Sequence, residues 1–206
     1  MRIAIVGGTG SFGRALAARL LAAGADEVVV GSRDAGRAAE AADALGCRGA
    51  TNEEAVHGAD LAVLAVKADA AIPTAQEIAA ALGQTPLLSV ASALSFSKDG
   101  VRPDPDARSV AERVAEVVSA PVAAGLHTLA AANLAAEPPE EDALVCADDP
   151  RAKELALELA GRVVRGRALD AGPLASARAL EGLTAVIVNL NKRYRAHAGV
   201  RVTGIP

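Results

Sequence analysis

The sequence has very few aromatic residues. Of its 206 residues only Phe12, Phe96 and Tyr194 carry aromatic rings, and there is no tryptophan. Single-stranded nucleic acids and many flat cofactors are held by stacking on such rings. A platform of stacked rings is therefore excluded, and any planar ligand of this protein must be held mainly by backbone and aliphatic surfaces.

Positive charge is also scarce. The 21 Lys and Arg residues are outnumbered by 25 Asp and Glu residues, which gives a formal net charge of -4 at pH 7. Nucleic acids and anionic membranes bind basic surfaces, so both classes of partner are excluded. No basic and apolar signal segment opens the sequence, and no apolar run reaches the about 18 residues of a membrane-spanning helix. We expect small-molecule partners, with no nucleic acid and no membrane.

Cysteines and metal-binding motifs are sparse. Cys47 and Cys146 lie far apart, and neither belongs to a C-x-x-C pair. Free thiols are typical of reducing compartments, whereas disulfide frameworks mark secreted proteins. No H-E-x-x-H motif or Cys/His cluster is present. We therefore expect free thiols, a cytoplasmic location and no metal site.

Two familiar catalytic motifs are missing. The only tyrosine, Tyr194, is followed four residues later by Ala198, so the Tyr-x-x-x-Lys pair of short-chain dehydrogenases cannot form. The G-x-S-x-G motif of hydrolases is absent as well. Hydride transfer to a carbonyl needs an acid to protonate the oxygen. Transfer between a nicotinamide and another redox heterocycle mainly needs positioning, and this chemistry fits the sequence better.

The N-terminus contains the clearest positive signal. Residues 2–6 form a β-branched apolar run typical of a strand buried on both faces, and a glycine motif and helical apolar spacing follow at once. Glycines at this point let the backbone approach a pyrophosphate, whose charge then lies at the helix N-terminus. The motif predicts a dinucleotide site. The residues that form it are Gly7, Gly8, Thr9, Gly10, Ser11, Phe12 and Gly13.

The residues after the second predicted strand indicate which dinucleotide binds. An NAD site usually has an acid here for the ribose hydroxyls, whereas an NADP site offers hydroxyl and cationic groups to the 2′-phosphate. Gly31 stands in the acid's place, Ser32 and Arg33 follow, and Arg37 lies one turn along the next helix. This combination favours NADP. Asp34 leaves two interpretations open, a helix N-cap or a displaced ribose ligand.

Strands and helices alternate through the first half of the chain, which predicts a doubly wound α/β fold. The clearest strand, 59–66, ends at Val66, and Lys67 follows it directly. Val66 and Lys67 should face the nicotinamide half of the dinucleotide, because ligands bind beyond the carboxyl ends of parallel strands. Lys67 either contacts a ligand phosphate or extends into solvent. Residues 91–108 are predicted to be a loop too long for a simple connector.

A later strand, 121–126, brings His127 to the same sheet edge, where it is the best candidate for a substrate contact. The alternative is a histidine bonded to backbone for structural reasons. The acidic segment 137–142 is predicted to be a solvated turn. A long helix over 174–197 carries polar residues beside its apolar stripe, and these are costly unless they are bonded, so the helix should line a cleft or a subunit interface.

The expected organisation is a Rossmann-type parallel sheet with a small, mainly helical C-terminal domain. Residues 1–170 form the predicted NADP-binding domain, and residues 171–206 form the C-terminal segment. The short tail, 199–206, is expected to cross to a partner chain.

With these residues assembled, the sequence resembles the NADPH-dependent coenzyme F420 reductases, also called F420H2:NADP oxidoreductases. The similarity covers nearly the whole chain. It rests on the glycine motif, on residues 31–33 and 126–128, and most specifically on residues 170–174 with the helix that follows. Two positions depart from the family pattern: Lys67 stands where a proline is expected, and Gly182 stands where some members carry a serine beside the deazaflavin.

The resemblance implies reversible hydride transfer between C4 of NADP and C5 of the F420 deazaflavin ring, in a homodimer or higher homo-oligomer. It implies that Thr9, Ser32 and Arg33 bind the 2′-phosphate. It also implies that the deazaflavin is surrounded by His127, Leu129, Arg178 and Thr184, with catalytic roles for His127, Arg178 and Thr184. Two other functions stay open, a flavin, imine or metal reductase on the same fold and an NADP-binding redox sensor without turnover.

Overall fold

The computed structural model describes residues 1–25 and 27–205. Its strands are β1 Arg2–Val6, β2 Glu27–Ser32, β3 Arg48–Thr51, β4 Leu61–Leu64, β5 Leu87–Ser89, β6 Leu94–Ser97, β7 Gly100–Pro103, β8 Val122–Gly125, β9 Ala143–Ala147 and β10 Ala168–Asp170. Its α-helices are α1 Ser11–Ala22, α2 Ala35–Leu45, α3 Asn52–Val56, α4 Ala68–Leu82, α5 Val110–Ala115, α6 Ala131–Ala135, α7 Pro150–Val163 and α8 Ala177–Tyr194, the last preceded by a 3-10 turn, Leu174–Ser176. None of the helices in the described part of the chain is long and apolar enough to cross a membrane.

Eight strands form the central sheet in the order β10-β9-β8-β5-β4-β1-β2-β3. The strands from β8 to β3 are parallel to one another, β9 is antiparallel to β8, and β10 is parallel to β9. The chain winds outward in both directions from the β1–β4 pair, so the carboxyl ends of these two strands border the crevice where ligands bind in such folds. The predicted doubly wound, Rossmann-type fold is confirmed.

Both faces of the sheet are covered by helices. Ile3 and Ile5 of β1 point into one apolar layer, whereas Ala4 and Val6 point into the other, as the alternation of strand side chains requires. The first layer includes Leu16 of α1, and the second includes residues of α4, α5 and α8. Because the chain has so few rings, both layers consist almost entirely of aliphatic side chains.

Residues 91–108 are not a simple loop. They contain an antiparallel hairpin in which β6 pairs with β7, and α8 holds this hairpin through a side-chain amide. The N–H of Val101 donates to Asn189 Oδ1 at 2.8 Å, and Asn189 Nδ2 donates to the Val101 carbonyl at 2.7 Å. The loop prediction was wrong because the hairpin is stabilised by a residue 88 positions away in sequence.

The acidic segment 137–142 is solvated only in part. Glu141 and Asp142 are buried, and the Asp142 carboxylate accepts hydrogen bonds from Arg167 Nη2 at 2.8 Å and from the Val202 N–H at 2.9 Å. The hydrogen bonds from Arg167 hold the pKa of the Asp142 carboxyl well below its usual range. The Asp142 N–H donates to the Val200 carbonyl at 2.7 Å. Residues 200 and 202 of the tail therefore bond to their own chain, and the expectation that the tail crosses to a partner stays a prediction.

Candidate active site

A cavity of about 1160 Å³ runs along the carboxyl edge of the sheet. It is bordered by the glycine motif, by the starts of α2 and α4, by the β6–β7 hairpin and by α8. Of the sixteen residues proposed from sequence, the cavity is lined by Gly7, Thr9, Gly10, Ser11, Phe12, Ser32, Arg33, Arg37, Val66, Lys67, His127, Leu129 and Thr184. Pockets for one drug-sized ligand are about 300–1,000 Å³, so this cavity has room for a dinucleotide and part of a second ligand.

Gly8 and Gly13 lie beneath the glycine loop rather than in the cavity wall. A Cβ atom on Gly13 would stand 2.7 Å from Gly8 Cα, so only glycine allows α1 to approach the loop this closely. Gly8 N–H donates to the carbonyl of Gly31 at 2.8 Å. Among the described residues, the N–H groups of Ser11 and Phe12 at the start of α1 have no hydrogen-bond partner. Such groups at a helix N-terminus bind anions.

Asn52 is a cavity residue that sequence reasoning missed. Its side chain is buried, and Oδ1 accepts a hydrogen bond from the Gly7 N–H at 3.1 Å. A sequence signal does exist, because Thr51 and Glu54 form a capping box that starts α3 directly after β3. The carboxyl end of β3 lies at the same sheet edge as the glycine loop, which puts the first residue of α3 beside the cavity.

The end of β2 and the start of α2 together offer one hydroxyl and two cations. The buried Ser32 Oγ accepts from the Asp34 N–H at 3.2 Å, and Asp34 Oδ1 accepts from the Arg37 N–H at 2.9 Å. Asp34 is therefore the N-cap of α2, as one of the two interpretations predicted. Arg33 and Arg37 are exposed, line the cavity and make no ion pair with the described residues. Their guanidinium groups are free to meet an anionic ligand.

His127 follows a strained turn at the end of β8. Leu126 has a φ of 62°, which costs a residue with a side chain of order 1–3 kcal/mol. His127 is 6% exposed, both of its ring nitrogens are buried, and neither nitrogen has a well-formed hydrogen bond to a described residue. Burial lowers the pKa of His127 to about 4, and a weaker interaction with the Ala91 backbone opposes this shift. The imidazole is consequently neutral near pH 7.

Thr184 of α8 holds the backbone beside that ring. Its Oγ1 donates to the His127 carbonyl at 2.9 Å and lies 3.2 Å from Ser92 Oγ. Leu129 is buried and adds an aliphatic surface to the same wall. This end of the cavity thus combines apolar walls with a neutral imidazole and two hydroxyls, a composition suited to a flat, uncharged ring system.

Arg178 does not line the cavity. Its Nη2 donates to the Asp104 carbonyl, and its Nη1 lies 3.8 Å from Glu181 Oε2. Glu181 is completely buried, and it accepts from the Val110 N–H at 2.6 Å and the Ala93 N–H at 3.3 Å. Burial raises the pKa of the Glu181 carboxyl. Arg178 and Glu181 together fasten both ends of the 91–108 segment to α8.

Lys67 is exposed at the N-cap of α4 and forms no ion pair with the described residues. Val66, directly before it, is half-buried and packs next to Gly7, since a Cβ on that glycine would stand 2.4 Å from Val66 Cγ1. Both residues line the middle of the cavity. Across residues 1–25 and 27–205 there is no group of three or more His, Cys, Asp or Glu side chains that could hold a metal ion.

Comparison with known proteins identifies the family. A family model described as NADP oxidoreductase, coenzyme F420-dependent, matches residues 2–93. The F420-dependent NADP reductase of Methanothermobacter marburgensis is 36% identical over 100% of both chains. This chain belongs to the F420-dependent NADP reductase family. A second F420-dependent NADP reductase, from Methanocaldococcus jannaschii, is 30% identical over 100% of this chain and 99% of its own.

The fold agrees with this membership. A crystal structure of a protein from Arthrobacter sp. FB24 superposes with a TM-score of 0.84, covering 99% of this chain and 100% of that chain at 24% identity. In this member of the F420-dependent NADP reductase family, the part matched by the family model extends from β1 to residue 93, directly before the β6–β7 hairpin. It therefore includes the glycine loop, the segment after β2 and Lys67.

Proposed function

We propose that this protein catalyses reversible hydride transfer between NADP(H) and coenzyme F420. The observation that carries the proposal is the continuity of one cavity from Arg33, through the glycine loop, to His127, in a chain of the F420-dependent NADP reductase family. Two cations and a hydroxyl lie at one end of this cavity, and apolar walls with a neutral imidazole and two hydroxyls lie at the other. Two ligands that must meet ring to ring need such a continuous space.

The residues divide between the two ligands by their positions along the cavity. The 2′-phosphate is bound by Thr9, Ser32 and Arg33, with Arg37 one helical turn away. The pyrophosphate is bound by the glycine loop, including Gly7 and Gly10, and by the free N–H groups of Ser11 and Phe12. Val66 and Lys67 lie beside the nicotinamide half. Gly8 and Gly13 support the loop from below.

The deazaflavin lies against His127, Leu129 and Thr184. With both ligands bound, C4 of NADPH would supply a hydride to C5 of F420, and the reduced deazaflavin would take its second hydrogen as a proton from solvent. The protein's part is to orient the two rings, which is the main requirement of such a transfer. Because both ring nitrogens of His127 are buried and the imidazole is neutral near pH 7, this residue is suited to packing against the ring rather than to supplying a proton. Arg178 acts through the hairpin that it anchors and is a positioning residue.

Residues 171–206 serve two purposes in this proposal. Thr184 on α8 lines the cavity, while Val186, Leu190 and Tyr194 leave an apolar stripe exposed on the same helix, with relative exposures of 52%, 40% and 68%. We propose that this stripe forms the interface of a homodimer. We also propose a cytoplasmic location, which is supported by the free thiols of Cys47 and Cys146.

A spectrophotometric assay tests the reaction. The protein is mixed with NADPH and oxidised F420, and the loss of deazaflavin absorbance is followed, with NADH as the comparison. Turnover with NADPH is expected. Turnover with FMN or an imine but not with F420 would instead indicate a different reductase, and binding of NADPH without turnover of any acceptor would indicate a redox sensor.

Replacement of His127 tests the position of the second ring. His127→Ala should raise the KM for F420 by about 10-fold, the value of a lost packing contact of about 1.4 kcal/mol, and leave the KM for NADPH nearly unchanged. His57→Ala is the matched control, since His57 is exposed and lies outside the cavity. An unchanged KM for F420 in His127→Ala would remove this residue from the site.

A further inference from the structure

Asn52 lies between the two segments that contact the adenosine half of the cofactor. It is the first residue of α3, is 5% exposed and lines the cavity. Its Oδ1 accepts the hydrogen bond from the Gly7 N–H of the glycine loop. The same oxygen is 2.9 Å from the point where a Cβ atom would stand on Gly31, at the end of β2.

The orientation of the Asn52 amide follows from its bond to Gly7. Only the side-chain oxygen can accept from an N–H group, so Nδ2 must be the opposite end of the amide. Nδ2 has no hydrogen-bond partner among the described residues, and Asn52 lines the cavity. The amide therefore keeps donor capacity that the described residues do not use and that a ligand in the cavity can take up.

Gly31 and Asn52 leave little space for a side chain at the position that selects NAD. In NAD sites an acid at the end of the second strand accepts hydrogen bonds from the ribose hydroxyls. Here a side chain on residue 31 would meet Asn52 Oδ1 and, at 3.1 Å, the carbonyl of Ile5. The space of that acid is thus filled by an uncharged amide from a neighbouring element. An amide donor attracts a phosphate oxygen, whereas a carboxylate would repel it.

We propose that Asn52 is a specificity-determining residue that binds the phosphorylated adenosine ribose of NADP(H) through Nδ2. Its Oδ1 at the same time holds the glycine loop in position for the pyrophosphate. This inference rests on the proposed use of NADP(H), and it adds a ligand contact from β3 and α3 to those from β1 and β2. It makes the choice of cofactor depend on a residue about twenty positions beyond Ser32 and Arg33.

The substitution Asn52→Asp separates the two functions of the amide. Aspartate has the same shape and keeps an oxygen for the Gly7 N–H, but it replaces the N–H donor with a negative charge that faces the 2′-phosphate. The Kd of NADPH should rise by about 30-fold or more, the value of a lost hydrogen bond to a charged group. The Kd of NADH should change by less than about 3-fold, because NADH has no 2′-phosphate to repel. The control is Asn191→Asp, which keeps the Asn191 hydrogen bond from Ala198 N–H and lies outside the cavity.

Binding is measured by fluorescence titration of the full chain with NADPH and with NADH, in the absence of F420. Thermal unfolding of each variant is followed in parallel, so that loss of fold is separated from loss of affinity. The deciding quantity is the ratio of the NADPH and NADH dissociation constants, which a merely structural role would not move. An unchanged ratio in Asn52→Asp overturns the inference, whether both dissociation constants stay the same or both rise by the same factor. Wild-type protein that binds NADPH without reducing F420 would refute the proposed function and leave this test intact.

Discussion

Arg33 presents an exposed guanidinium at the edge of the cavity, with no ion pair to the described residues. In the proposed function it binds the 2′-phosphate, so Arg33→Ala should weaken NADPH binding by about 10- to 100-fold, the value of a hydrogen bond to a charged group. NADH binding should stay nearly unchanged. Fluorescence titration measures both, and Arg151→Ala, an exposed arginine on α7, is the control. Equal losses for the two dinucleotides would show that Arg33 does not recognise the phosphate.

The buried His127 makes stability depend on pH. Its pKa of about 4 in the folded protein lies below the ordinary value of 6.5, so the unfolded chain binds a proton between these two pH values and the folded protein does not. The free energy of unfolding should therefore rise by about 3 kcal/mol from pH 4 to 6.5 and then level off. Urea unfolding of His127→Asn should show a shallower rise than unfolding of His57→Asn, in which an exposed histidine is replaced. The same slope in both variants would contradict a depressed pKa.

At single positions, sequence reasoning succeeds where the interaction is local. The N-cap role of Asp34 depends on a residue three positions away, Arg37, and one of the two predicted interpretations was correct. The position of Asn52 was missed because its partner, Gly7, is 45 residues away. Asp142 was predicted to be solvated because its neighbours in sequence are acidic. Its hydrogen-bond partner, Arg167, is 25 residues away and could not be inferred from the local sequence.

The β6–β7 hairpin is an element whose position depends on α8. Asn189→Leu would remove both hydrogen bonds to Val101 and leave the N–H and carbonyl of a 3% exposed residue unpaired. The hairpin should loosen by about 1–3 kcal/mol, the cost of an unsatisfied buried group. Hydrogen exchange at the Val101 amide should become faster, and the KM for F420 should rise while the Kd of NADPH stays constant, because Phe96 of this hairpin lines the cavity.

Asn191→Leu is the control for the hairpin variant, two residues further along the same helix. Asn191 bonds to the Ala198 N–H rather than to the hairpin. If hydrogen exchange at Val101 is unchanged in Asn189→Leu, other contacts are enough to hold the hairpin. Candidates are the contacts of Arg178 and Glu181 at the ends of the 91–108 segment.

The regular elements differ in how far the sequence predicts them. Most of the parallel strands carry continuous apolar runs such as residues 61–64, and their existence and order along the chain were predicted correctly. Strand β6 alternates Leu94 and Phe96 with two serines, but it has only four residues and is largely exposed. Its apolar residues are too few to give a recognisable strand pattern in the sequence. The strand is held instead by its pairing with β7 and by the contacts of β7 with α8.

At the scale of the whole molecule, the apolar stripe on α8 predicts the oligomeric state. Leu190→Glu would place a charge in the centre of the proposed homodimer interface, where its desolvation is unfavourable. Sedimentation velocity should show the wild type as a dimer and this variant as a monomer with unchanged secondary structure. Ile205→Glu changes an exposed apolar residue outside the stripe and should remain dimeric. A wild type that sediments as a monomer would rule out the proposed interface.

The glycine loop is closed by hydrogen bonds that come from the protein itself, including Gly7 to Asn52 and Gly8 to Gly31. A segment held in this way has little conformational freedom left to lose when it meets a dinucleotide, so most of the entropic cost of association falls on the ligand. The capture of NADP(H) should then occur in a single kinetic phase, with no slow rearrangement after the encounter. The rate would be set by diffusion and orientation of the nucleotide.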